Sequence, residues 1–270
     1  MELLFCLLTA VIISVTEWLP VGTTNHLIAL DKYANPYING SFRYVLIISC
    51  HLAALLALIV YLWPVYYPYG RNQSLEGKSN CIHLWKRIIM ACIPAGVLGI
   101  IASALVSEVL YIPFLIGVMS ILLGIGTVIV EAMPLTIKAR KVFKVGYSQA
   151  FNVGLIQMAA VVPGTGRFST SLLGTRILGF SRECALMFSL LLSVPMMIGS
   201  NGLHIIQLWG DIQITGIQIV YIIICCIVSY YLSGKMIHWI LNYIKEHNYA
   251  VFGWYRIITG IIFLILFLAL

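Results

Sequence analysis

The chain has 270 residues, of which 61% are hydrophobic and 9% charged, against roughly 25% charged in soluble domains. That excludes a water-soluble globule and describes an integral membrane protein whose apolar stretches approach or exceed the ~20 residues a crossing helix needs. The formal charge of +7 lies mostly in short loops beside those stretches, which reads as membrane topology and contact with anionic lipid, not as nucleic-acid binding.

The strand-length alternation of a membrane β-barrel is missing, so the fold class is all-α and polytopic, in a single membrane domain spanning 1–270. The first apolar run, about 3–15, is short for a crossing. It ends in Thr16-Glu17-Trp18-Leu19-Pro20-Val21-Gly22-Thr23-Thr24-Asn25-His26, and a second short apolar piece reaches position 30. The economical reading is a re-entrant helix–loop–helix, because irregular backbone at membrane depth survives only inside protein or beside a wet cavity. A polar link over 31–43 follows, with turn signals at Asn35-Pro36 and Asn39-Gly40.

Spans are then expected at about 42–63, 84–106 and 113–133. Trp63, Tyr66, Tyr67 and Tyr69 close the first as an interfacial belt, a hydrophilic loop covers 71–78, and a turn carrying Glu108 joins the next two. After the basic stretch of Lys138, Arg140, Lys141 and Lys144 the short run 147–162, the loop Pro163-Gly164-Thr165-Gly166-Arg167-Phe168-Ser169-Thr170-Ser171 and the piece 171–178 repeat the re-entrant pattern. In this second copy an arginine stands where the first has its histidine. The last spans are expected at about 184–209, 214–232 and 251–270.

Each half, about 1–135 and 145–270, is thus one re-entrant element plus three crossings. Three is odd, so the second half is inserted upside down, an inverted repeat. On that topology one face collects Arg71, Lys78, Lys86, Arg87, the 138–144 cluster, Arg182, Lys235 and Lys245, while the other keeps chiefly Lys32 and Arg43. The positive-inside rule makes the first face cytoplasmic. The first loop then enters from outside, the second from inside, and the tips meet near the midplane.

Ionisable groups in so apolar a chain are functional suspects. Glu17, one turn before Pro20, points towards the loop that carries Thr23 and His26, and Arg167 on the facing loop is its natural counter-charge. A purely structural Glu–Arg pair is the bland alternative, although buried ion pairs are uncertain stabilisers. Each loop runs into a short helix whose first N–H groups are unpaired and whose dipole is positive. With Gly22, Gly164, the hydroxyls of Thr23, Thr24, Thr165, Ser169 and Ser171, and the guanidinium fork of Arg167, the enclosed space suits a phosphate. His26 is the candidate base. His51, Glu131 and His204 lack a matching polar cluster and read as helix–helix hydrogen-bond groups, His51 being the one closest to lining a cavity. The seven cysteines show no metal-ligand spacing and read as small hydrophobes.

On these residues the chain resembles the bacterial undecaprenyl-pyrophosphate phosphatase family of the BacA type. The likeness is carried by Glu17-Trp18-Leu19-Pro20-Val21 with Thr23-Thr24 and His26-Leu27-Ile28, by His51-Leu52, by Gln157, Pro163-Gly164 and Arg167, by Phe188-Ser189 to Pro195-Met196-Met197, and by Tyr255-Arg256. The resemblance implies a plasma-membrane hydrolase, acting at the outer face, that removes the terminal phosphate of a C55 polyprenyl diphosphate and so recycles the lipid carrier of cell-wall synthesis. It also implies an assisting divalent cation, Mg²⁺ or Ca²⁺, and on this reading Glu17 either holds that cation or orients His26. On this reading Thr23, or water beside it, attacks phosphorus, His26 takes the proton and Arg167 stabilises the phosphoryl charge. The partners are the polyprenyl diphosphate and membrane lipids, with no nucleic acid and a homodimer left open.

The chain departs from the family pattern at Ile13, where a second acidic or amide group is usual, and at Gly166 and Phe168, where serines normally flank the arginine. Those departures keep two other classes in view, a carrier for lipid phosphate and a non-catalytic lipid-phosphate binder.

Overall fold

The computed structural model describes residues 1–34, 37–38, 40–70, 74–105, 112–207 and 214–268. Arg71, Glu108, Trp209 and the turn signals at Asn35-Pro36 and Asn39 lie outside the described residues. Among those described there are ten α-helices and no strand: α1 (Glu2–Thr16), α2 (Thr23–Ala34), α3 (Gly40–Tyr66), α4 (Leu75–Leu105), α5 (Pro113–Ala132), α6 (Tyr147–Gln157), α7 (Arg167–Ile177), α8 (Arg182–Gln207), α9 (Gly216–Glu246) and α10 (Ala250–Leu268). Six of them, α3, α4, α5, α8, α9 and α10, are long and apolar enough to cross a membrane. The other four form two short helix–turn–helix units, α1–α2 and α6–α7, whose helices of 11 to 15 residues fall short of a crossing.

Two helices outrun their expected spans for the same physical reason. α9 continues 14 residues past Leu232, because Ile237, Ile240 and Ile244 are buried at helical spacing while Lys235, Trp239 and Lys245 stay outside the core. α4 likewise starts at Leu75, ahead of position 84, as a polar first turn. Charge alone had made both extensions look like loops.

The packing comes in matched exchanges. α4 packs on α6 as α9 packs on α1, α3 meets α9 as α8 meets α4, and α5 lies along α10. The last contact is glycine-lined on both sides. A Cβ on Gly124 would stand 2.7 Å from the Gly253 carbonyl oxygen, and one on Gly253 would stand 2.8 Å from that of Gly124, so only glycine lets the two backbones approach this closely.

The two turns are matched by their glycines. Gly22 (φ +82°) and Gly166 (φ +77°) adopt the left-handed region and each immediately precedes a helix. A Cβ on Gly166 would lie 3.5 Å from the Gly22 Cα, so the turns touch. This pairing corrects one detail of the sequence reading: Arg167 occupies the place of Thr23, each being the first helical residue, and Thr170 occupies that of His26. α7 accordingly starts at Arg167, four residues before position 171.

Candidate active site

The touching turns form the floor of the main cavity, about 640 Å³. Its walls come from α2 and α3 on one side (Leu27, Ile28, Tyr44, Ile47, Ile48, His51) and from α8 on the other (Ser200, Asn201, His204, Gln207). Tyr44 near the start of α3 and Gln207 at the end of α8 belong to the same end of the bundle, so the cavity opens at the end opposite to Lys86, Arg87 and Arg182.

Glu17 caps α1 in helical geometry and stands at the centre of the polar contacts. Thr23 Oγ1 donates to Glu17 Oε2 at 3.0 Å. The Arg167 Nη2 lies 3.5 Å from Oε1 and the His51 Nε2 lies 3.5 Å from Oε2. His51 Nδ1–H donates to the Ile47 carbonyl at 2.9 Å, which turns the other ring nitrogen towards Glu17. Arg167 reaches in two directions, because its Nη1 donates to Ser200 Oγ, and its backbone is pinned by Gln157 Nε2, which donates to the Arg167 carbonyl at 3.1 Å.

Of the other residues singled out in the sequence, Gly22, Thr24, Gly164 and Ser169 line the cavity. Thr165 is turned inward, its hydroxyl donating to the carbonyls of Val162 at 2.7 Å and Ala159 at 3.2 Å. Ser171 donates to the Phe168 carbonyl at 3.0 Å and borders a small void behind Glu17 and Arg167. His26 sits one helical turn beyond Thr23 and has partners of its own. Its Nδ1–H donates to the Gly22 carbonyl at 2.8 Å and its Nε2 is 2.8 Å from the Tyr255 hydroxyl, so in the neutral ring Tyr255 donates to the lone pair a base would use.

The sequence reading passed over several groups. Ser200 and Asn201 lie on α8, far from either motif, and come to the site only through packing, as does His204, which read as a helix–helix hydrogen-bond group and lines the cavity instead. Arg256 carried a signal, since an arginine inside an apolar span demands an explanation. It is fully buried, donates to the Gly164 carbonyl and to the Ser120 carbonyl at 3.4 Å, and lies against Gly22, where a Cβ would meet its guanidinium at 3.5 Å. It is the post under both turns. Glu131 also belongs to a cluster after all: Arg176 Nε and Arg182 Nε donate to its two oxygens at 2.6 and 2.7 Å.

The family described as bacitracin resistance protein BacA matches residues 6–262. The chain belongs to the BacA family. It is 30% identical over 271 residues to the undecaprenyl-diphosphatase of Desulfitobacterium hafniense, across 99% of this chain and 97% of the relative. It is 31% identical over 266 residues to that of Lachnoclostridium phytofermentans (97% and 95%), and 28% identical over 270 residues to that of Enterococcus faecalis (98% and 97%).

For this BacA chain the residues themselves limit what a metal site can be. Among the described residues no group of three or more His, Cys, Asp or Glu side chains comes together, and Glu17 is the one acidic residue lining the cavity. Such a donor set fits a hard cation that takes most of its ligands from water and substrate phosphate, not a cage built by protein.

Proposed function

We propose that this chain is a membrane phosphatase that hydrolyses undecaprenyl diphosphate to the monophosphate, recycling the lipid carrier of cell-wall synthesis. The names of its BacA relatives supply the substrate, and one contact carries the chemistry. The Thr23 hydroxyl, first residue of α2, already donates to the Glu17 carboxylate on the floor of a cavity that Arg167 faces.

Thr23 Oγ1 attacks the terminal phosphorus and its proton passes to Glu17. The bond from phosphorus to the bridging oxygen breaks, its electron pair leaves with the undecaprenyl monophosphate, and water then releases the phosphoryl group from Thr23 as inorganic phosphate. Arg167 and the unpaired N–H groups at the starts of α2 and α7 meet the charge on the phosphoryl oxygens in transit. His51 faces the same Glu17 oxygen as Thr23, and His26 braces the Gly22 carbonyl. A divalent cation, Mg²⁺ or Ca²⁺, would be held by Glu17 and, when bound, neutralises diphosphate charge.

The membrane is the plasma membrane, and the site opens outward. The cavity mouth lies at the end with Lys32 and Arg43, while the lysines and arginines gather at the other end, which the positive-inside rule assigns to the cytoplasm. The two helix–turn–helix units are re-entrant, and the matched packing of α1 to α5 with α6 to α10 reflects a two-fold axis in the membrane plane.

The test is phosphate release from undecaprenyl diphosphate by purified protein in detergent, with and without divalent metal. Release that Thr23→Ala abolishes supports the reading. Lipid binding without release at any cation concentration overturns it in favour of a binder, and lipid movement in sealed vesicles would then identify a carrier.

A further inference from the structure

We infer that α8 supplies a second phosphate subsite, for the phosphate that is not transferred, built from Asn201 and His204; this rests on the phosphatase reading above. Ser200, Asn201, His204 and Gln207 all line the cavity, and their spacing of one, three and three residues keeps them on one face of the helix. Ser200 is already occupied by Arg167. Asn201 is not: it is 4% exposed and its Nδ2 has no hydrogen-bond partner among the described residues. A buried amide donor left unpaired costs about 1–3 kcal/mol, and one that lines a cavity calls for a ligand acceptor. His204, one turn further towards the mouth, lines the same cavity beside Gln207.

The chemistry of this wall fits an anion. It offers amide and imidazole donors, and none of its four residues is acidic. The opposite wall also carries Tyr44 and His51, but Leu27, Ile28, Ile47 and Ile48 give it an apolar stretch that fits the prenyl chain. A substrate whose terminal phosphorus meets Thr23 must run from the turns to the mouth, so its second phosphate passes Asn201, next to Arg167's anchor at Ser200, and His204, about one helical turn (~5 Å) beyond that anchor. The wall also answers a departure noted in the sequence: Gly166 and Phe168 remove the hydroxyls beside Arg167, and in this chain the hydroxyl bound to Arg167 comes from α8.

The test compares Asn201→Leu and His204→Gln with the parent protein in detergent at fixed Mg²⁺. Affinities for inorganic pyrophosphate and inorganic phosphate are measured by titration, and kcat and KM by phosphate release from undecaprenyl diphosphate. The expected result is a preference for pyrophosphate over phosphate that falls about tenfold in each variant, as loss of a hydrogen bond to a charged group implies, with KM raised by a similar factor and kcat nearly kept. An unchanged preference in either folded variant overturns the subsite. Should Asn201→Leu fail to fold, Asn201→Asp serves, and there the preference should fall further because the carboxylate repels the anion. The preference is measured without turnover, so parent protein that binds pyrophosphate preferentially but releases no phosphate would defeat the phosphatase reading and leave the subsite standing.

Discussion

Among the described residues two carboxylates are buried in the membrane-spanning part of this protein, and they are held in opposite ways. Glu131, at the end of α5, has a side chain 1% exposed and is clamped by Arg176 at 2.6 Å and Arg182 at 2.7 Å, one guanidinium per oxygen. It ties α5 to the end of α7 and the start of α8, and Tyr249 adds a hydrogen bond to the Arg182 carbonyl at 2.9 Å. Glu17 is 10% exposed on a cavity, with the Arg167 guanidinium and the His51 ring each at 3.5 Å and a hydroxyl at 3.0 Å. A carboxylate with a guanidinium at short range on each oxygen and no cavity beside it is a fastener, since it is closed off from any substrate. One that is loosely surrounded and touches a hydroxyl can accept that hydroxyl's proton. The geometry of the partners, not the burial of the acid, separates lock from reagent.

Substituting each acid gives the sharpest way to break that distinction. Glu17→Gln keeps the shape and removes the proton acceptor, so phosphate release should fall about 10²- to 10⁴-fold while the detergent melting temperature is maintained. Glu131→Ala should do the reverse, leaving the buried Arg176 guanidinium without its acid at a cost of about 3–5 kcal/mol, with a lower melting temperature and near-normal turnover per folded molecule. A Glu17 variant that melts early, or a Glu131 variant that stays folded and inactive, would reverse the two assignments.

The arginines extend the comparison with a smaller effect. Arg167 uses two nitrogens in two directions, to Glu17 and to Ser200, and a lysine carries the charge without the fork. Arg167→Lys should lower phosphate release about 10- to 100-fold and leave the fold intact. A lysine variant at the original rate would make Arg167 a fastener like Arg176.

What the sequence disclosed about this contrast follows from distance along the chain. Glu17, Thr23 and the glycine turns are local, so helix ends and motif spacing were enough to place them side by side. The contact of Arg167 with Glu17 crosses 150 positions, yet it was legible because a lone arginine and a lone glutamate in apolar surroundings have few alternatives. Glu131 was illegible by the same logic: its partners Arg176 and Arg182 look like loop charges until α7 and α8 are packed against α5. The wall of α8 was hidden because Ser200, Asn201 and His204 are ordinary polar residues in a span, and only the packing of that span decides which face meets the cavity. α9 shows the remaining weakness, since Lys235 and Lys245 masked a helix whose other face carries Ile237, Ile240 and Ile244.

The smallest expected effect concerns the histidine that the motif brought forward as a base. His26 Nε2 accepts from Tyr255, and its Nδ1 holds the Gly22 carbonyl, so in this geometry the ring steadies the turn that carries Thr23 and takes no proton from it. Tyr255→Phe removes one hydrogen bond that is partly open to solvent, worth about 1 kcal/mol, and should reduce phosphate release less than about tenfold with no change in the shape of its pH profile. If His26 were the base, the same substitution would free its lone pair, raising the rate at neutral pH and moving the ascending limb of the profile. A faster Tyr255→Phe variant with a displaced limb would therefore transfer the proton from Glu17 to His26, and Glu17 would join Glu131 among the groups that hold the structure together.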